Sequence, residues 1–330
     1  MDNISLNCDI IFADLPPPPP PKSPANKSAY CMFMVIFSLI TVIGNSMVIA
    51  AVAKFRALQK RTNAFIVSVA CADIGVAVLV MPFRLYEEWN GGWDLGKWFC
   101  LVVNAFDGIF CMAYMCNLYT LALERYLAVC QPFLHMKIRN WMTALILTLC
   151  WVFPIVLWPA ILFTEFHIIG IEDLAACVTE SACPLFMNTS TTIVVTVGTF
   201  WTPSALMILC YWRIFQTARH HAQAIHATTV TTAEYYNSQR INKTVKAAKT
   251  PAIIVGCFSI FWLPYFTVIT MDAFMDYKLP IVAKIVTAWM AYVNSMVNPF
   301  LYYIFNQQLK MAFKNIMRCK GGRLEDMDGM

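Results

Sequence analysis

Residues Cys100–Pro132 read CLVVNAFDGIFCMAYMCNLYTLALERYLAVCQP. The run is long and apolar enough to cross a bilayer as one helix. It nonetheless carries a carboxylate, Asp107, about two turns in, and ends on the charged pair Glu124-Arg125 beside Tyr126. A charge on a spanning helix costs about 2.5–3.5 kcal/mol on insertion scales, so each such residue marks a functional site by default. The remaining chain reads as scaffold for this helix, as partners for its two charged sites, or as machinery joining them.

Of the 330 residues 59% are hydrophobic and 13% charged, against roughly 25% charged in soluble domains. That composition excludes an ordinary soluble core and points to a membrane protein. Seven apolar segments of spanning length can be marked, at roughly 31–54, 64–87, 98–126, 142–164, 190–214, 250–273 and 280–304. They predict an all-α bundle of seven transmembrane helices over 30–305, behind an N-terminal tail of 1–29. No early signal peptide is visible, so the first span is expected to direct insertion itself. The tail carries the proline run Pro16–Pro21, an extended spacer without a core. The last segment, 306–330, places Leu309, Phe313 and Met317 between Lys310, Lys314 and Arg318. That spacing predicts a basic amphipathic helix on the inner leaflet ahead of a cytoplasmic tail, with Cys319 a palmitoylation candidate as well as a plain free cysteine.

Eighteen of the 24 lysines and arginines lie in or beside the loops after the first, third and fifth spans and in the C-terminal tail. By the positive-inside rule those segments are cytoplasmic and the N-terminus is outside. The basic faces then meet lipid and partner protein rather than nucleic acid. Asn3 and Asn26 head glycosylation acceptor patterns on the outer side, and Asn188 heads a third, close to the membrane. Four cysteines fall outside, where oxidation is permitted: Cys8, Cys100, Cys177 and Cys183. A Cys100–Cys183 bridge would pin the second outer loop over the bundle mouth. A second bridge joins Cys177 to Cys8, with Cys31 the competing partner.

Polar residues inside the apolar segments recur at Asn45, Asp73, Arg125, Asn294, Asn298 and Tyr302, mostly toward the cytoplasmic half. One alone is a helix–helix hydrogen bond; six together predict a polar network. Pro203, Pro264 and Pro299 interrupt the fifth, sixth and seventh spans, and each removes a backbone donor. Loosened helices around a polar core suit a bundle with two arrangements.

These features, together with Trp93-x-Leu-Gly before Cys100, Trp151, Tyr211, Phe258, Trp262-Leu-Pro264 and Asn298-Pro299-Phe-Leu-Tyr302, resemble a rhodopsin-like (class A) G-protein-coupled receptor over about 30–319. Asp107 matches the position at which amine receptors hold a ligand ammonium. Ala-Cys-Ala-Asp73, Val-Met-Pro82-Phe, Lys246-Ala-Ala-Lys-Thr250 and Tyr292-Val-Asn-Ser295 resemble trace amine-associated receptors most. Phe305-Asn-Gln-Gln departs from them toward serotonin- and dopamine-type receptors.

The resemblance implies an amine ligand, a stimulatory heterotrimeric G protein raising cyclic AMP, and a chemosensory role at the plasma membrane or in sensory cilia. The ligand set expected is Asp107 and Cys111 with Tyr292 as hydroxyl partner, walled by Trp262, Tyr265, Phe266 and Trp289, with Thr196 and Thr199 on the fifth span. Glu87 and Glu88 are candidates for the far ammonium of a diamine. Met115, Pro203 and Phe258 would relay binding under Trp262 to Asp73, Glu124, Arg125, Tyr211, Asn298, Pro299 and Tyr302. Two positions depart from the family: Thr244 replaces the acid that usually holds the arginine, and bulky Tyr114 crowds the usual sodium site beside Asp73.

A transporter would need a polar path between Asp107 and Asp73, where apolar and aromatic residues stand instead. No cofactor or metal is expected. The cysteines show no metal-ligand spacing and His135, His220 and His221 are cytoplasmic, so nothing supports an enzyme.

Overall fold

The computed structural model describes the backbone of residues 8–13, 15–17, 23–179, 182–227 and 232–318. Asn3, Cys319 and the side chain of Thr244 lie outside the described residues. In chain order the helices are α1 (Cys8–Ala13), α2 (Pro24–Lys54), α3 (Arg61–Leu79), α4 (Met81–Asn90), α5 (Lys97–Cys130), α6 (Pro132–Lys137), α7 (Asn140–Phe163), α8 (Glu172–Thr179), α9 (Thr189–Thr196), α10 (Thr202–Ala227), α11 (Thr232–Phe274), α12 (Ile281–Phe305) and α13 (Gln307–Met317). The spans are α2, α3 with α4, α5, α7, α9 with α10, α11 and α12. Among the described residues there is no β-strand.

Six of these spans are apolar enough to cross a membrane on composition alone. The seventh expected span, α12, is long enough at 25 residues but falls outside that set. The cause is inward-facing polarity: Asn294, Ser295 and Asn298 of α12 are buried in the bundle and not presented to lipid.

The opening helix, α5, is the central rod and packs against α3, α7, α10 and α11. Its small residues set the approach distances. A Cβ on Gly108 would collide with the Trp158 ring of α7, so only glycine lets that indole pack this closely against α5. Trp151, one of the expected motif residues, donates its indole N–H to Ser68 Oγ at 2.8 Å and ties α7 to α3.

Proline leaves a carbonyl without its usual donor, and in lipid no water replaces it. Pro299 has no N–H for Ser295 O, and Asn45 Nδ2 on α2 donates to that oxygen at 3.1 Å. Pro203 has none for Thr199 O, and Tyr119 Oη on α5 donates to it at 3.0 Å. The turn before Pro203, Val197–Trp201, is widened to a π-helix, the usual way a helix absorbs such a defect. The second span breaks at Val80, just before Pro82, and Ser38 Oγ reaches Ala77 O at 2.8 Å there.

At the end of the bundle where the chain enters, both expected disulfides are present, Cys100–Cys183 and Cys8–Cys177, and Cys31, the competing partner, is buried and not joined to Cys177. The second bridge fastens α1 to α8, a short helix within the second outer loop. Asn188 caps α9: its Oδ1 accepts from Thr191 N at 2.8 Å while Nδ2 donates to Phe166 O and Ile169 O. That amide is engaged at every polar atom, whereas Asn26 is exposed at the start of α2. At the opposite end, α13 is capped by Asn306, buries Leu309 and Phe313 against the bundle and leaves Met317 exposed.

Tyr119→Phe removes the donor to Thr199 O and is expected to lower stability by about 1–3 kcal/mol. Thermal denaturation of the detergent-solubilised protein checks this; an unchanged midpoint would show that the hydroxyl does not support the proline break.

Candidate functional site

Asp107 faces inward from the outer third of α5. Its Oδ2 accepts from Tyr292 Oη at 2.6 Å, and its Oδ1 accepts from Cys111 Sγ at 3.4 Å, one turn along the same helix. A cavity of about 70 Å³ opens in front of the carboxylate. Trp262, Tyr265, Phe266 and Thr199 line it as expected; Met115, expected in the relay beneath, also reaches the cavity, and Trp158, Met187 and Ile269 add apolar wall. The lid is the second outer loop, contributing Leu185 and Met187 beside the Cys100–Cys183 bridge.

Four expected residues lie outside this lining. Trp289 turns away and meets Tyr30, Phe37 and Tyr292 edge-on at 5.9, 6.4 and 5.5 Å, cementing α12 to α2. Thr196 is fully buried and accepts from Thr270 Oγ1 at 3.4 Å. Glu87 accepts the Cys183 backbone N–H at 2.7 Å and stands 3.6 Å from Arg84, so it is engaged by its own chain. Glu88 also stands away from the cavity wall.

Sequence reasoning missed Arg84. Its Nη2 lies 3.6 Å from Asp107 Oδ2 and donates to Asn104 Oδ1 at 2.6 Å; its Nη1 donates to Cys183 O at 2.5 Å. The available signal was the one applied to Asp107: an arginine inside the expected 64–87 span is itself an intramembrane charge.

Below the cavity, an aromatic column runs toward the cytoplasm. Trp262 packs against Phe266, Phe258 and Tyr114 with ring centroids 5.8, 6.1 and 6.5 Å apart, and Phe200 stacks on Phe266 at 4.2 Å. Tyr114 joins this column to the polar network: its hydroxyl accepts from Asn294 Nδ2 at 2.5 Å and Asn298 Nδ2 at 3.2 Å. Asn298 Nδ2 also reaches Asp73 Oδ2 at 2.9 Å. The phenol therefore fills the space beside Asp73 that the departure at this position suggested.

At the far end of α5 from Asp107, Arg125 Nε lies 3.3 Å from Glu124 Oε2. Glu124 Oε1 also accepts from Thr62 Oγ1 at 2.9 Å and meets His135 Nε2 of α6 at 3.1 Å. Glu124 is thus anchored from two further elements, one of them a loop helix that the spans did not predict. Tyr211 and Tyr302 project hydroxyls into the interior below Phe258.

Seven spans, a disulfide-pinned lid, a charged cavity and a buried polar relay define a membrane receptor of the rhodopsin type. The chain matches the family "7 transmembrane receptor (rhodopsin family)" over residues 44–302 and belongs to it. It is a multi-pass membrane protein. Among its relatives is the human 5-hydroxytryptamine receptor 4, 36% identical over 318 residues, covering 90% of this chain and 81% of that protein. The mouse trace amine-associated receptor 6 is 31% identical over 304 residues, covering 90% and 88%. The human trace amine-associated receptor 2 is 31% identical over 304 residues, covering 91% and 85%.

Tyr114→Phe strips a shared acceptor from two buried asparagine amides and is expected to lower stability by about 1–3 kcal/mol. The drop should be absent in Tyr303→Phe, whose ring stacks on Phe313 instead; equal drops in the two variants would remove Tyr114 from the relay.

Proposed function

We propose that this receptor is activated by a protonated monoamine held at Asp107, and that it signals through a stimulatory heterotrimeric G protein to raise cyclic AMP. The observation that carries the reading is a carboxylate held by Tyr292 at 2.6 Å and facing an otherwise apolar and aromatic cavity. A cation entering such a space needs a counter-ion and a charge-assisted hydrogen bond. Trp262, Tyr265 and Phe266 offer ring faces worth about 0.5–2 kcal/mol each to a cation.

The names of the relatives, serotonin and trace-amine receptors alike, support the same chemistry. A monoamine is favoured over a diamine because Glu87 is engaged by Cys183 and Arg84. The higher identity to the serotonin receptor favours a second reading, a conventional biogenic-amine receptor, over a chemosensory one.

Binding shifts an existing equilibrium. The ligand would press on Trp262, and the aromatic column would pass that displacement to Tyr114 and the Asn298–Asp73 contact. Arg125 would leave Glu124 for the G protein at the cytoplasmic face, with the N-terminus outside the plasma membrane.

The deciding experiment is a cyclic-AMP reporter screen of monoamines and diamines on the wild-type chain and on Asp107→Ala. Every amine response is expected to vanish in the variant while surface expression persists; retained potency would overturn the counter-ion role. Because Thr244 offers no acid to Arg125, basal signalling above mock-transfected cells is expected, and Thr244→Glu should lower it. Equal basal output from both would place the restraint on Glu124, Thr62 and His135 alone.

A further inference from the structure

Asp107 is not an unoccupied counter-ion. On the side away from the cavity it faces a second charge of the same chain, the Arg84 guanidinium, 3.6 Å from Oδ2. Both side chains are well shielded, at 16% and 17% exposed, so the interaction is screened far less than a surface pair. The guanidinium cannot easily swing away. Its two terminal nitrogens are fixed on Asn104 Oδ1 and on the carbonyl of Cys183, the disulfide residue that anchors the lid. Glu87 completes the set, 3.6 Å from Nη1 and bonded to the Cys183 amide. One guanidinium against two carboxylates leaves a single net negative charge, enough for one ammonium.

We infer that Arg84 is an affinity- and specificity-setting residue for the amine site: a tethered cation behind Asp107 with which every ligand ammonium must share that carboxylate. The inference rests on the amine reading of the cavity and deepens it. The guanidinium and the Tyr292 hydroxyl orient Asp107 before any ligand arrives. The guanidinium also repels the ligand. An ammonium on the cavity side would sit roughly 6 Å from the guanidinium, where like charges in a protein interior interact strongly enough to alter affinity by about tenfold to a hundredfold. The site therefore accepts one positive charge and disfavours a second. It also links occupancy to the lid, since the group that senses ammonium at Asp107 is the one hydrogen-bonded to Cys183.

The sign of the effect separates this role from simple scaffolding. Removing a purely structural arginine loosens the lid and weakens binding; removing a competing charge tightens it. The test measures cyclic-AMP potency and radiolabelled binding of 5-hydroxytryptamine and 2-phenylethylamine on the full-length chain, normalised to surface expression. Arg84→Gln keeps a hydrogen-bonding group and loses the charge, and is expected to tighten amine binding by about tenfold or more. Arg84→Lys keeps the charge and should stay near wild type. Glu87→Gln removes an attractive charge and should shift affinity the opposite way, and it reads the same field if Arg84→Gln does not reach the surface.

Weaker or unchanged amine binding in Arg84→Gln, or a gain in Arg84→Lys equal to that in Arg84→Gln, overturns the inference. A wild-type response that Asp107→Ala abolishes but Arg84→Gln leaves unmoved overturns this inference alone. No response to any amine from the wild-type chain or from Arg84→Gln overturns the amine reading, and the role of Arg84 with it.

Discussion

A bilayer offers no hydrogen bonds, and that constraint organises the structure. Each helix must satisfy its own backbone, yet several spans contain proline, among them the fifth at Pro203 and the seventh at Pro299. The bundle resolves this with side chains from neighbouring helices. Asn45 serves Ser295 O across α2 and α12, and Tyr119 serves Thr199 O across α5 and the fifth span. These bonds do two things at once. They stabilise the distorted segments, and they fix which helices sit side by side, because a donor must arrive from a definite neighbour.

Within that frame two clusters of charged side chains sit at opposite ends of α5, with Asp73 between them. The outer one joins Asp107 to Tyr292, Arg84, Glu87 and the disulfide-pinned lid. The inner one joins Arg125 to Glu124, with Thr62 and His135 behind it. Between them no chain of charge runs; the link is steric, through Trp262 and Phe258, until Tyr114 converts it to hydrogen bonds on Asn294 and Asn298. Packed aromatic cores tend to have discrete arrangements and not continuous deformation, which suits a receptor that must report occupancy as one of two states.

The seven spans and the Cys100–Cys183 bridge were legible in the amino-acid order, whereas the choice between Cys8 and Cys31 as partner of Cys177 was settled only where α1 meets α8. The polarity of α12 was visible too, but its meaning was not: Asn294 and Asn298 make the helix look poorly apolar until burial shows which way they face. Asp107 was found because a carboxylate stands out in an apolar run, and Tyr292 and the Trp262 wall because the family resemblance implied them. Trp289 was misplaced for the converse reason. Near Tyr292 in sequence and equally aromatic, it differs from a cavity residue only in rotation about the helix axis, which carries it onto Tyr30 and Phe37.

The sequence by itself determined that the chain crosses the membrane repeatedly and that a carboxylate stands about two turns into the apolar run of the central helix. These follow from transfer energies and charge counts, which need no knowledge of neighbours. Only the tertiary structure decided what that carboxylate faces. Arg84 and Glu87 lie about twenty residues from Asp107, and Cys183 lies beyond them all in a loop, so their meeting depends on the break at Val80 and the bridge to Cys100. Net charge at a site is a sum over space, and the chain order does not contain it.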